Sequence, residues 1–240
     1  MNKEIYVEGH RGFCAQYPEN TLLSFEMAME LGVDAVEFDV WLSRDKVPVL
    51  MHDGDAYRTC GVGGLLEEMT LAEIKRLTPY CPRVFGDTFR GQVEVPTLQE
   101  LLELIRKKRP ELLLGVEIKA YTEETVDRTV AMLKEYGMLD RCWFYAFHGP
   151  TLRWLKQRGG RTMGYPDFQM KEFEGYSWYD EIGLSLAVAR SEIGRHYMEK
   201  GFPMHMYCAD TPEDVAFCLE NGASLITAND PRSLLKALGR

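Results

Sequence analysis

The chain has 240 residues, of which 45% are hydrophobic and 27% are charged, and its formal net charge is −9 at pH 7. This acidic balance argues against a nucleic-acid partner, because nucleic-acid-binding proteins usually present a basic face. The length is sufficient for one large hydrophobic core, and parallel barrels of this size are commonly a single unit, so we expect one domain over residues 1–240.

No apolar run of the sequence approaches the length that a membrane-spanning helix needs. The first residues lead directly into a predicted strand, without the apolar segment of a signal peptide. The six cysteines contain no C-x-x-C pair, so we interpret them as reduced thiols and not as a disulfide framework or a zinc site. These features predict a cytoplasmic protein without membrane insertion.

Apolar stretches typical of strands alternate with stretches of helical periodicity along most of the chain. The helix predicted over residues 21–32 shows the pattern, with Asn20 or Thr21 as its N-cap and Gly32 at its end. Alternating strands and helices favour a parallel sheet, and eight such units favour a closed (β/α)8 barrel over an open doubly wound sheet. The eight predicted strands are Glu4–Glu8, Ala35–Trp41, Leu112–Lys119, Cys142–Phe147, Arg161–Tyr165, Ile182–Leu186, Pro203–Cys208 and Ser224–Thr227.

A ninth predicted strand, VPVLMH at Val47–His52, follows the strand that ends at Trp41 after the short polar turn SRDK. A parallel connection needs about a dozen residues or more, so this strand must return antiparallel as a hairpin. The pairing sets residue 39 roughly opposite residue 52, which predicts that His52 lies beside Asp39.

The step from Asp53 to the helix that begins near Thr97 is long. It contains its own capping box, in which Thr70 and Glu73 start a short helix. We therefore predict a small, partly helical insertion at about residues 54–95, over the rim at the carboxyl end of the barrel. Its mixed polar and apolar composition favours a packed cap over a membrane-docking surface.

Two predicted barrel strands each place two charged residues, at least one of them acidic, on a single face. Glu37 and Asp39 in VEFDV point the same way, and they face the barrel interior if Phe38 faces a helix. Glu117 and Lys119 share a face of GVEIK in the same manner. Three inward carboxylates repel one another unless a cation lies between them, and oxygen ligands suit Mg²⁺ or Ca²⁺ better than zinc. Solvated carboxylates and a simple Glu–Lys ion pair are the alternative interpretations.

Two histidines are predicted close to these carboxylates, His10 at the end of the first strand and His52 at the end of the hairpin. A lone histidine is more often structural, but two that converge on three carboxylates favour an acid/base pair beside a metal ion. Arg11 and Lys119 add two cations, of which arginine suits a bidentate phosphate contact and lysine a point-charge contact. The set predicts a site that binds an anion and transfers a proton.

The motifs GHRG, PENT, VEFDV, VPVLMHD, GVEIK and ITANDP occur in this order along nearly the whole chain. In these motifs the sequence resembles the glycerophosphodiester phosphodiesterase family. The resemblance implies a TIM barrel and assigns a role to most of the residues already singled out. It implies acid/base catalysis by His10 and His52, a divalent cation (Mg²⁺ or Ca²⁺) on Glu37, Asp39 and Glu117, and phosphate contacts from Arg11 and Lys119.

The activity implied by this resemblance is metal-dependent hydrolysis of a glycerophosphodiester to sn-glycerol 3-phosphate and an alcohol. Tyr207 in PMHMYCAD stands where the family often has tryptophan. We predict that Phe147 and Tyr207 contact the glycerol or alcohol group. We also consider Glu19 a candidate partner of Arg11, Asp53 a candidate partner of His52, and leave the remaining histidines, His148, His196 and His205, outside the site.

Two alternative functions stay open at this point. A phospholipase-D-like lyase acting on lysophospholipids would share the fold, but it would favour an apolar rim and secretion. A non-catalytic barrel that binds phosphodiesters would be favoured by loss of part of the polar set, which is intact in this sequence. The partner that we expect is a small-molecule glycerophosphodiester substrate, without nucleic acid, and the sequence also allows a homo-oligomer.

Overall fold

The computed structural model of the protein describes residues 5–169 and 177–240. Within these ranges the chain forms one sheet of nine strands, eight of which are parallel and close into a barrel. The first strand closes the barrel because it pairs with both the second and the last strand. The prediction of a (β/α)8 TIM barrel is therefore confirmed.

The barrel strands follow one another in chain order around the sheet. The short strand Pro48–Leu50 pairs antiparallel with Val40–Leu42, the carboxyl end of the second barrel strand. The predicted strands agree with the observed ones to within two residues at each end, and Glu4 of the first prediction lies outside the described residues. The strands are β1 (Tyr6–Gly9), β2 (Ala35–Leu42), β3 (Pro48–Leu50), β4 (Leu113–Ile118), β5 (Cys142–Tyr145), β6 (Arg161–Gly164), β7 (Glu181–Ser185), β8 (Met204–Tyr207) and β9 (Leu225–Ala228).

The helices surround the barrel and occupy its rim. In the first of them Thr21 is the N-cap, since its side chain accepts a hydrogen bond from the Ser24 N–H, and Gly32 ends the helix with a φ of 91°. The helices are α1 (Leu22–Leu31), α2 (Tyr57–Cys60), α3 (Leu71–Ile74), α4 (Pro82–Phe85), α5 (Leu98–Lys108), α6 (Glu123–Glu135), α7 (Gly149–Gln157), α8 (Pro166–Gln169), α9 (Leu186–Ala189), α10 (Glu192–Met198), α11 (Pro212–Glu220) and α12 (Arg232–Ala237).

In the part of the chain that the structure describes, no helix combines the length and the apolar character that crossing a membrane requires.

The outward side chains of the barrel strands pack against the surrounding helices and form the main hydrophobic core. Phe38 of β2 is fully buried there and meets Phe25 of α1 edge to face, with ring centroids 6.2 Å apart. Because side chains alternate along a strand, the outward position of Phe38 directs Glu37 and Asp39 into the barrel.

The hairpin between β2 and β3 has a register one residue away from the predicted one. Val40 lies opposite Leu50, and the Asp39 carbonyl accepts a hydrogen bond from the Met51 N–H at 3.2 Å. The connection is a three-residue loop with Lys46 at a φ of 67°, whereas the prediction assumed a turn with two central residues. Met51 therefore lies opposite Asp39, and His52 is the next residue along the chain.

Buried polar side chains form a hydrogen-bonded chain through the barrel interior. The Thr227 and Tyr145 hydroxyls donate to the two oxygens of Glu8 at 2.6 and 2.9 Å. The Tyr145 oxygen also lies 3.4 Å from His205 Nδ1, and His205 Nε2 bonds to Glu181. These pairings offset the cost of removing the polar groups from water.

Residues 54–95 contain α2, α3 and α4, and the predicted capping box of Thr70 and Glu73 is present at the start of α3. Apolar side chains of this segment form a small core together with residues of β3 and its continuation: Val49, Met51, Ala56, Cys60, Leu66, Ile74, Leu77 and Val95. This separate packing supports our proposal that residues 54–95 are an insertion within one domain.

Gly115 of β4 provides the space in which Glu8 and Tyr145 meet. A Cβ at this position would lie 2.3 Å from Glu8 Oε1 and 2.9 Å from Tyr145 Cε2. We expect Gly115→Ala to lower the free energy of unfolding by about 1–3 kcal/mol through this overpacking. The control is Gly63→Ala, because a Cβ at Gly63 meets nothing within 4 Å. Denaturant unfolding of both variants tests this, and equal stabilities would contradict it.

Candidate active site

A cavity of about 160 Å³ lies at the carboxyl end of the barrel strands. Eight of the nine residues predicted for the site line it, and among the described residues none of 54–95 does, so the insertion lies beside the site and does not form its wall. The lining residues are Glu8, His10, Arg11, Glu37, His52, Glu117, Lys119, Tyr145, Phe147, Met163, Tyr165, Tyr207 and Thr227.

The ninth predicted residue, Asp39, lies with Glu37 and Glu117 in one group of carboxylates. One oxygen of each lies within 4.8 Å of the others, and all three side chains are buried. The strand register causes this proximity, because Asp39 of β2 pairs directly with Glu117 of β4. Glu37 Oε1 is buried without a hydrogen-bond partner. An unpaired buried oxygen among three carboxylates fits a divalent cation with oxygen ligands.

The carboxylates differ in how their charge is compensated. Burial raises the pKa of Glu117 to about 7, and burial with the charges of Asp39 and Glu117 raises the pKa of Glu37 well above its ordinary value. Burial would also raise the pKa of Asp39, but the charges of Lys119 and Arg11 outweigh it and lower that pKa. Asp39 is therefore ionised at neutral pH, whereas Glu37 and Glu117 lose their protons less readily than ordinary carboxyl groups, and a bound cation would displace those protons.

Both predicted cations contact this group. Lys119 Nζ lies 2.6 Å from Glu117 Oε1 and 3.3 Å from Asp39 Oδ1. Arg11 Nε lies 3.4 Å from Asp39 Oδ2, and the Arg11 backbone N–H donates to Glu37 Oε2 at 2.9 Å. Both side chains also line the cavity, so their charges are available to an anion bound there.

His10 is held by a residue that the sequence reasoning did not select. Its Nδ1 lies 2.6 Å from Asn229 Oδ1, and its Nε2 lies 3.9 Å from Glu37 Oε2. The Asn229 amide donates to Asp210 Oδ2, which leaves its oxygen to accept from His10. His10 therefore carries its proton on Nδ1. Burial and then the charge of Arg11 lower the pKa of His10 to about 4, so its Nε2 has a free lone pair at neutral pH.

His52 has a different environment. Its Nδ1 lies 2.6 Å from Asp53 Oδ1, as the sequence suggested, and its side chain is 31% exposed. A carboxylate can only accept here, so Nδ1 carries the proton. Burial lowers the pKa of His52, and the carboxylates of Asp39 and Asp53 oppose this effect. The two histidines are thus oriented by different groups, one by an amide and one by a carboxylate.

Asn20 was one of the two predicted N-caps of α1, but the structure places it in the site. Its Nδ2 donates to Asp39 Oδ2 at 2.7 Å, and its Oδ1 accepts from the Asp39 N–H at 3.2 Å. Its neighbour Glu19 accepts from Arg11 Nη1 at 2.9 Å, as expected. The signals for Asn20 and Asn229 were present in the motifs PENT and ITANDP, but a motif does not show which side chain an amide will contact.

Aromatic rings form one wall of the cavity. The Phe147 ring stacks on Tyr165 with centroids 4.2 Å apart, and Lys119 Nζ lies 5.6 Å from the centroid of Phe147. Tyr207 meets Tyr165 edge to face at 5.6 Å. His148, which was excluded from the site, is not among the lining residues and bonds to Thr151.

Comparisons with known proteins agree on one family. The model of the glycerophosphoryl diester phosphodiesterase family matches residues 10–233. A curated glycerophosphodiester phosphodiesterase from Caldanaerobacter subterraneus subsp. tengcongensis is 29% identical over 95% of this chain and 96% of its own. The match thus includes every residue predicted for the site.

Solved structures share the fold. A glycerophosphodiester phosphodiesterase from Agrobacterium tumefaciens str. C58 aligns with a TM-score of 0.81 and 24% identity, over 97% of this chain and 99% of its own. A phosphodiesterase from Oleispira antarctica, solved in complex with the product sn-glycerol-3-phosphate, aligns with a TM-score of 0.82 and 24% identity, over 98% and 97%.

We expect the three carboxylates to bind Mg²⁺ or Ca²⁺. Glu37→Gln, Asp39→Asn and Glu117→Gln should each weaken the affinity about tenfold or more in titration calorimetry, because each removes one ligand charge. Affinity in the unmodified protein should rise from about pH 6 to about pH 8, since Glu37 and Glu117 must lose protons. Glu124→Gln, at an exposed carboxylate of α6, is the control. Unchanged affinity in all three variants would refute the site.

Proposed function

The chain belongs to the glycerophosphoryl diester phosphodiesterase family, and from this membership we propose that it hydrolyses glycerophosphodiesters to sn-glycerol 3-phosphate and an alcohol by metal-dependent acid/base catalysis. The observation that supports the proposal most directly is the content of the cavity. It combines two oriented histidines, two cations and a carboxylate group that fits a divalent ion. These parts can serve the binding of a phosphodiester, the attack on its phosphorus and the departure of the alcohol.

A bound divalent cation would match the charge of the cavity to that of the substrate. Once Glu37 and Glu117 have lost their protons, as cation binding requires, the three carboxylates and two cations leave an excess of negative charge, which would repel a phosphodiester. A divalent cation on Glu37, Asp39 and Glu117 would reverse this excess and supply Lewis-acid stabilisation of charge on the phosphoryl oxygens. Arg11 and Lys119 would contact the remaining phosphate oxygens.

We assign the role of general base to His10. Its neutral form is favoured by the low pKa, and Asn229 fixes the tautomer whose Nε2 can accept a proton. The proton comes from the attacking hydroxyl, which belongs to water in direct hydrolysis and to the glycerol group in a route through a cyclic phosphate. In the second route the attack is intramolecular, so proximity contributes much of the rate, and water must then open the cyclic phosphate to give sn-glycerol 3-phosphate.

We assign the role of general acid to His52. Its Nδ1–H is held by Asp53, and a carboxylate at this distance stabilises the imidazolium form that donates from Nε2. The proton goes to the oxygen of the departing alcohol. Phe147 and Tyr207 would contact the apolar side of the glycerol or alcohol group, because their rings form the cavity wall.

The assignment of the histidines predicts a large kinetic effect. We expect His10→Ala and His52→Ala each to lower kcat by about 10²–10⁴-fold without loss of folding. The double variant should be barely slower than either single one, because the residues act as a unit. The control is His148→Ala at the same end of the barrel. Full activity in either single variant, measured by release of sn-glycerol 3-phosphate, would refute the assignment.

The size of the cavity and the mixed composition of residues 54–95 support a preference for water-soluble, deacylated diesters. We expect a panel of glycerophosphodiesters with Mg²⁺ or Ca²⁺ to yield sn-glycerol 3-phosphate, and EDTA to abolish the reaction. Lysophospholipid vesicles should react more slowly. Faster reaction with vesicles would favour the lyase alternative. The side chains that would then contact the vesicle are the exposed apolar ones of the insertion, Tyr57, Val62, Leu65 and Val84. Binding without turnover would favour the non-catalytic alternative.

A further inference from the structure

Arg58, on α2 of the insertion, bridges two carboxylates beside the active site. Its Nη1 and Nη2 donate to Glu19 Oε2 and Oε1, both at 2.8 Å. Its Nε and Nη2 donate to Asp53 Oδ2 and Oδ1 at 2.5 and 3.2 Å. All three guanidinium nitrogens are used, and the contact with each carboxylate is bidentate, which fixes the relative orientation of the two.

Each of these carboxylates also holds a residue of the cavity. Asp53 Oδ1 bonds to His52 Nδ1 at 2.6 Å, and Glu19 Oε1 accepts from Arg11 Nη1 at 2.9 Å. Arg58 therefore completes a continuous series of charged contacts from the imidazole to the guanidinium that faces the phosphate position. It does this without lining the cavity itself.

The charge of Arg58 has a specific effect on both carboxylates. Burial would raise the pKa of both carboxylates, but the hydrogen bonds of Arg58, together with that of His52, lower the pKa of Asp53 to about 2, and Arg58 with Arg11 lowers the pKa of Glu19. Without Arg58, Glu19 would have only Arg11 as a cationic partner, and a bidentate contact would draw Arg11 away from Asp39. Asp53 would likewise lose the contact that holds it against His52.

We propose that Arg58 is a positioning residue that fixes the orientations of the His52 and Arg11 side chains relative to each other. The proposal rests on the proposed function and deepens it. It gives the insertion an indirect part in the reaction, because Arg58 acts through Asp53 and Glu19 on the proposed acid and the proposed anion-binding cation.

The kinetic test compares two arginines of the insertion. Arg83, on α4, stacks over Tyr57 at 5.9 Å in the same segment and has no contact with Glu19 or Asp53 among its described interactions. We expect Arg58→Gln to lower kcat by about 10–10²-fold with a smaller change in KM, because the reacting groups are misplaced. Arg83→Gln should stay within about twofold of the unmodified protein. Equal kcat values for the two variants would overturn the proposal.

Chemical rescue separates positioning from folding. We expect Arg58→Gly to regain part of its lost kcat in the presence of added guanidinium ion, at concentrations too low to unfold the protein. His52→Ala should show no such recovery. A purely structural role predicts instead a lower Tm, an unchanged kcat per folded molecule and no rescue, and that combination would also overturn the proposal.

A spectroscopic measurement gives an outcome that does not depend on activity. In the unmodified protein, the ring ¹⁵N–¹H spectrum at a fixed pH should show His52 with a hydrogen-bonded proton on Nδ1. Arg58→Gln should shift or broaden this signal, and Arg83→Gln should leave it in place. An unchanged His52 signal in Arg58→Gln would refute the alignment. If the unmodified protein hydrolyses no diester, the proposed function fails, and this measurement still decides the role of Arg58.

Discussion

The concentration of negative charge at the carboxyl end of the barrel is the constraint on which the rest of the site depends. Asp39 pairs with Glu117 across adjacent strands, and Glu37 lies two residues before Asp39 on the same face. Three buried carboxylates so close together would destabilise the folded chain unless cations and hydrogen-bond donors compensated them. Lys119, Arg11 and their partners provide this compensation, so the residues that we propose to bind the phosphate also stabilise the fold.

The fold was predictable because its signals are local and repeated. Eight alternating strand and helix stretches predicted the barrel, and the alternation of side chains along a strand placed Glu37 and Asp39 on one face. The predicted hairpin register was wrong by one residue, because the loop has three residues with Lys46 in the left-handed conformation, and no glycine in SRDK indicates that position. Asn20 was predicted as a candidate N-cap of α1. Its amide contacts Asp39 on a different element, and a local sequence pattern cannot indicate such a contact.

The groups that orient the two histidines differ in their distance along the chain. Asn229, which holds His10, is 219 residues away in sequence and reaches it because β9 pairs with β1. Asp53, which holds His52, directly follows it. The imidazole of the proposed base is therefore oriented only once the barrel has closed, whereas the proposed acid has its partner from the hairpin alone.

The backbone of the loop after β1 carries a cost that its sequence does not remove. Arg11 has a φ of 52°, in the left-handed region, where residues other than glycine, asparagine and aspartate lose roughly 1 kcal/mol or more. Glycine at position 11 would relieve this strain and would also delete the guanidinium that faces the cavity. The same guanidinium compensates the buried Asp39 carboxylate, so a glycine codon here would remove the backbone strain and the ion pair together, and laboratory evolution for heat resistance should retain the arginine.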